Sequence, residues 1–259
     1  MRAAAYRGRG HAPAKAAAAL EALLPSARAC GQAPAAWLAL GHTRARLGQL
    51  TLASQCYRRA AETNVQAEME SAATAEFEMW SGAGDSLRAL ASLDALAERR
   101  PGSLLKLQAD MTRRSMAMVG HSAPELASET TEGEPVTLAG LHGRFVLVFF
   151  WATYSLACIE QIPSLRRLAA TYRGRSLEVL GVSLDFPNDR RLVQSSMVRR
   201  GLPWRTLFPG GDFDNPIARR YGVLQLPYSV LVGPSGQVLA AGLQGPALEA
   251  AISRALEGR

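Results

Sequence analysis

Cysteine is scarce in this chain, lysine is almost missing and aromatic residues are few, and each shortage removes a class of protein. Three cysteines among 259 residues, Cys30, Cys56 and Cys158, do not make the disulfide framework of a small secreted scaffold. No apolar run approaches the roughly 18 residues of a membrane-spanning helix, so no membrane span is expected. The net charge is +7 and only Lys15 and Lys106 are lysines. The arginines fall as singles and pairs, without the aromatic interleaving of a nucleic-acid-binding stripe, so no nucleic acid is expected as a partner. His11, His42, His121 and His142 lie too far apart for a metal-ligand pattern, and no glycine-rich phosphate loop occurs. Neither a metal nor a cofactor is expected.

What is present is a globular composition, 48% hydrophobic, in a chain long enough for one large domain or two ordinary ones. The start, MRAAAYRGRGHAPAKAAAALEALLPSARA, has a basic lead and an alanine-rich segment. Glu21 interrupts its apolar stretch, so it reads as an amphipathic helix after a loose N-terminus rather than as a signal peptide. That reading predicts a cytoplasmic protein.

Two rhythms divide the chain. Residues 11–118 read as helix, rich in Ala, Leu, Arg and Glu, with breaks at Pro25, Gly31, Gly48, Gly82 and Gly84, and Pro101-Gly102. Within them, Trp37, Leu40, Gly41, Gly48, Ala53, Tyr57 and Ala60 have the spacing of a tetratricopeptide repeat, which the segment resembles. Gly41 and Ala53 are expected where paired helices come too close for larger side chains. A weaker copy carries Phe77, Trp80, Gly84, Ala89, Leu93, Leu96 and Pro101. Repeats of this kind stack to bury their faces and offer a concave surface to an extended peptide or a partner helix, so a protein partner is expected. The oligomeric state is left open.

After Met118 short apolar strands alternate with amphipathic helices. Strands are expected at 145–151, 177–184, 228–232 and 237–241, with helices at 158–172, 189–200, 215–221 and 246–257. The first two strands show no polar alternation, as strands buried on both faces should. Gly233-Pro-Ser-Gly236 between two apolar runs is a hairpin turn. The expectation is an α + α/β chain: helical hairpins over 1–118, then a thioredoxin-like α/β sandwich over 119–259.

Particular residues then identify a resemblance. Ala123-Pro124, the Gly-Glu-Pro-Val-Thr-Leu segment, the Gly-Arg pair before the strand, Phe150-Trp151-Ala152-Thr153 and a helix carrying Pro163 resemble the opening of TlpA/ResA-like thioredoxin-fold proteins. Tyr221-Gly-Val, Pro227 and the strand after it resemble the later part of that family. The resemblance implies a redox protein acting on protein thiols or disulfides, with Pro227 as a cis-proline beside the site and relatives that are often exported. It also implies a substrate groove framed by Trp151, Tyr154, Leu226, Pro227 and Tyr228, where the Leu226 backbone pairs with an extended substrate.

The family's Trp-Cys-x-x-Cys is here Tyr154-Ser155-Leu156-Ala157-Cys158. Thiol–disulfide exchange needs an attacking thiolate and a second, resolving thiol; an alcohol is neither. Dithiol cycling is therefore not expected unless Cys30 or Cys56 resolves, and both are expected in the helical core. Ser155 and Cys158 remain as catalytic candidates. A hydroxyl three residues before a cysteine at a helix start also resembles the peroxide-reducing site of peroxiredoxins, which adds an arginine; Arg219 and Arg220 lie in a suitable region. Three readings stand together: one-thiol exchange or peroxide chemistry through Cys158, exchange assisted by another protein's thiol, and a redox-inactive fold kept for binding. Asp185-Phe186-Pro187 is expected at the strand end near the site, and Asp212, Asp214 and Asn215 as a loop and helix cap.

Overall fold

The computed structural model describes residues 2–63, 65–98, 104–172 and 177–258, with side chains from residue 13 onward except at 95, 96 and 104. Contacts divide it into two compact units, Met1–Ala109 and Asp110–Arg259.

The first unit is helical: α1 Arg2–Ala29, α2 Ala33–Arg46, α3 Leu50–Ala60, α4 Gln66–Gly82, α5 Ser86–Ala97, and the start of α6 Leu104–Met118. From α1 to α5 successive helices pack on one another, and α2 also reaches α4, the pattern of stacked hairpins. Gly31, Gly48 and Gly84 sit at the breaks in left-handed conformations, with φ of 75°, 73° and 77°, which glycine adopts without steric cost. The Pro101-Gly102 break lies outside the described residues, as do the Leu96 and His11 side chains.

Three expectations for this unit need correction. Pro25 is not a break: α1 starts at Arg2, with no loose lead, and runs through both Pro13 and Pro25. An interior proline costs a helix about 3 kcal/mol. Against that cost, Ala17, Leu20 and Leu24 carry one apolar stripe along α1 onto Leu40, Trp37 and Cys56. Cys30, expected in the core, is exposed, because the chain leaves the helix there and turns at Gly31; Cys56 is buried.

Gly41 shows why small residues recur. A Cβ there would lie 2.6 Å from Cε1 of the Tyr57 ring, so α2 and α3 meet only because the position is bare. Tyr57 in turn hydrogen-bonds Nδ1 of His42 at 3.1 Å. The α3–α4 contact carries a buried carboxylate: Glu76 is 4% exposed and accepts from Ser54 Oγ and Arg58 Nε.

The second unit is built on a five-stranded sheet of order β5-β4-β3-β6-β7. Its members are β3 Phe145–Trp151, β4 Leu177–Ser183, β5 Arg205–Leu207, β6 Tyr228–Val232 and β7 Val238–Ala241; β1 Ala127–Glu129 and β2 Pro135–Thr137 form a separate antiparallel pair. β3 is central, parallel to β4 and antiparallel to β6, and all seven of its residues are buried. Burying each large side chain there contributes about 1.5–3 kcal/mol. The sheet is the thioredoxin-like sandwich the sequence predicts, with one strand more: β5 has three residues, too few for a periodic signal.

Alternation along β3 sorts the two faces. Phe145, Leu147, Phe149 and Trp151 pack with Ile162 and Leu165 of α7 Leu156–Tyr172, Val193 of α8 Arg190–Arg200, and Leu248 and Ile252 of α10 Gly245–Glu257. Phe150 instead stacks near Tyr221 and Tyr228. Tyr221 follows the short α9 Pro216–Arg220.

Candidate functional site

The site is built where β3 ends and α7 begins. A strand leaving the sheet has unpaired backbone groups that must find partners, and here a buried aspartate supplies them. Asp185, 0% exposed, lies just beyond β4. It accepts from the Thr153 backbone N–H at 3.0 Å, from the Thr153 hydroxyl and from Ser183 Oγ at 2.8 Å. The Leu184 N–H donates to Trp151 O at 2.8 Å. These bonds hold the turn 152–155 over the carboxyl ends of the parallel strands, the usual ligand-binding edge of such sheets.

Ser155 caps the helix: its Oγ accepts the Cys158 backbone N–H at 3.3 Å. A hydroxyl in that place satisfies one of the free N–H groups of a helix start. Cys158 sits in the first turn of α7 and is 0% exposed. Burial pushes its thiol above the ordinary range; the Ser155 hydroxyl and the Ala152 backbone pull it down, and the Asp185 charge raises it again. No cation is among these influences. Arg219 pairs with Asp214, and Arg220 donates to the carbonyls of Pro216 and Glu125.

Of the expected groove residues, Tyr154 is exposed, Leu226 is half-buried, and Pro227, Trp151 and Tyr228 are buried. Tyr154 is 55% exposed; its hydroxyl donates to Asp212 Oδ1 at 2.9 Å and its ring lies 6.3 Å from that of Phe186. The Leu226–Pro227 peptide is cis, and Leu226 is half-buried against the core that holds Cys158. The Pro227 carbonyl accepts from Gln244 Nε2 at 2.8 Å, and Gln244 Oε1 accepts from Gln161 of α7 at 3.4 Å.

Trp151 and Tyr228 are corrections. Trp151 is fully buried on the α7 side of the sheet, as strand parity with Phe149 requires. Tyr228 is 3% exposed, on the other side, with its hydroxyl bonded to Ser115 of α6 at 2.9 Å. Neither lines a groove.

The sequence does not reveal that large apolar residues of this turn and of other loops are exposed. Leu156 is 70% exposed, Phe186 55% and Leu224, in the loop leading to Pro227, 40%. A leucine at the first helical position is the nearest it comes to a signal. Asn215 caps α9 through its Oδ1, accepting from the Ala218 N–H. His42, His121 and His142 are exposed, and no group of three or more His, Cys, Asp or Glu side chains among the described residues is arranged to hold a metal.

Comparison with known proteins agrees with this geometry. Residues 119–241 match the AhpC/TSA family model. The thiol-disulfide oxidoreductase ResA of Halalkalibacterium halodurans is 29% identical over 126 residues, 49% of this chain and 69% of that protein. ResA of Geobacillus thermodenitrificans is 27% identical over 127 residues, 49% of this chain and 70% of its own. A C-terminal domain from Bacteroides thetaiotaomicron superposes with a TM-score of 0.51 at 24% identity, over 56% of this chain and 99% of that one, a likeness of fold.

Proposed function

We propose that this chain, whose residues 119–241 carry an AhpC/TSA-type thioredoxin-fold domain, engages an extended protein segment beside Leu226–Pro227 and offers it a single thiol, Cys158. The observation that carries this reading is the place of Cys158. It occupies the first turn of α7, capped by Ser155, in a domain similar to thiol-disulfide oxidoreductases. The exposed Tyr154, Leu156, Phe186 and Leu224 supply apolar area for a polypeptide, and the Leu226 backbone, just before the cis-proline, would pair with it as an added strand. The helical unit resembles tetratricopeptide repeats and would add a second protein-binding surface.

The chemistry has one step on this chain. Cys158 gives its proton to solvent, and the thiolate forms a bond to one sulfur of a substrate disulfide. The other sulfur leaves as a thiolate. Because position 155 has no sulfur, release of the mixed disulfide requires a thiol from the substrate or from another protein. The upward displacement of the Cys158 thiol makes this exchange slow near neutrality.

A second reading is favoured by the complete burial of Cys158: the groove binds and no exchange follows. One experiment separates the two. The Cys30→Ser variant, which removes the exposed thiol, is incubated with a disulfide-bridged peptide across pH, and adducts are mapped by mass spectrometry. A mixed disulfide on Cys158 whose rate climbs without levelling below about pH 8.5 supports exchange. Peptide retained without any adduct supports binding alone, and neither adduct nor retention removes both. Ser155→Cys creates a Cys-x-x-Cys pair and is expected to exchange much faster than the unsubstituted chain.

A further inference from the structure

Three buried polar atoms of the second unit lie close together around Gly181. The indole Nε1 of Trp151, the indole Nε1 of Trp204 and the hydroxyl of Thr206 are each enclosed, with no hydrogen-bond partner among the described residues. A buried donor left unsatisfied costs about 1–3 kcal/mol, so three together ask for a common partner. A Cβ placed on Gly181 would lie 2.7 Å from Thr206 Oγ1, 3.2 Å from Trp151 Nε1 and 3.3 Å from Trp204 Nε1.

Gly181 is not needed for its backbone. It lies inside β4, between Phe149 of β3 and Thr206 of β5, and is not among the glycines with positive φ. Glycine within a strand forfeits packing and marks a place where something approaches closely. Here the bare position leaves room for the polar edges of two tryptophans and a threonine.

The donor set selects the ligand. An indole N–H only donates, whereas a hydroxyl donates and accepts. The partner must accept twice and settle one further bond. All three groups are neutral, and an ion buried among neutral groups carries a large desolvation cost. A water molecule meets the requirement, since buried waters typically make about three hydrogen bonds.

We propose that one water is bound over Gly181, accepting from both indoles and donating to Thr206 Oγ1. It joins the end of β3 to β5 beneath the turn 152–155. Its role is to fix the Trp151 ring, from which the chain enters the candidate site. This site is independent of any reaction at Cys158.

The test is cross-relaxation between water and indole protons in the full chain, labelled with nitrogen-15 at tryptophan. The chain has four tryptophans, and single Trp→Phe variants assign the resonances. Trp151 and Trp204 are expected to share a cross-peak to a long-lived water, and Gly181→Ala, whose methyl would press on all three partners, is expected to abolish both. If that variant does not fold, Thr206→Val keeps the shape, removes the third partner and is expected to weaken both cross-peaks. Absence of the cross-peaks in the natural chain overturns the proposal. So does a saturable shift of both indole resonances on adding bromide, which would assign the place to a halide.

Discussion

The hydroxyl of Ser155 accepts the backbone N–H of Cys158 at 3.3 Å, so the residue that stands where a second thiol would be acts as the cap of the helix that carries the first. Ser155→Ala removes that acceptor and leaves the N–H unpaired near the surface. The expected loss is about 1 kcal/mol, read as a lower midpoint in urea with an unchanged slope. Because the serine hydroxyl also favours the thiolate, the same variant should shift Cys158 titration further upward.

Thiol counting separates the three cysteines. Cys30 is exposed, whereas Cys56 and Cys158 are buried. An aromatic disulfide reagent should titrate one thiol promptly in the native protein and all three in denaturant. Cys30→Ser should remove the prompt phase and leave the other two unchanged.

Stability should fall on the alkaline side. Burial raises the thiols of both Cys158 and Cys56 above their ordinary values. Below about pH 8.5, where an unfolded thiol ionises, both states hold the proton and the contribution is complete. Above it the unfolded chain loses the proton first, so unfolding becomes easier by up to about 1.4 kcal/mol per pH unit for each thiol. This continues until the folded thiol ionises too. Urea unfolding from pH 7 to 10 measures the slope, and Cys158→Ala should flatten it.

Gly41→Ala tests the close approach in the helical unit. The added methyl would meet the Tyr57 ring at 2.6 Å and must push α2 from α3, at an expected cost of about 1–3 kcal/mol. Tyr57→Ala in the same chain should relieve much of that penalty, since it removes the ring that the methyl meets. A double-mutant cycle of unfolding free energies reads the coupling.

How far the sequence could be read depended on what signal each residue carried. The unbroken apolar run of β3 and the Gly-Pro-Ser-Gly hairpin announced the centre and one edge of the sheet, because a strand covered on both faces has no polar positions. β5 carried no such signal: Arg205, Thr206 and Leu207 are too short a run to show a period. The family resemblance implies a groove that includes Trp151 and Tyr228, whereas strand parity decides which way a side chain points. Asp185 was noted near the site, yet its bonds to Thr153 and Ser183 arise from a turn. Pro25 was read as a break because local propensity was weighed without the stripe that α1 lays on Leu40.

The full burial of Cys158 turns its reactivity into a question of gating. A reagent reaches the sulfur only during local opening, so the observed rate is the intrinsic thiolate rate multiplied by the open fraction. Every 1.4 kcal/mol of opening cost divides that fraction by ten. A partner that pried the turn 152–155 away from Asp185 would therefore accelerate the thiol without altering a single atom of it.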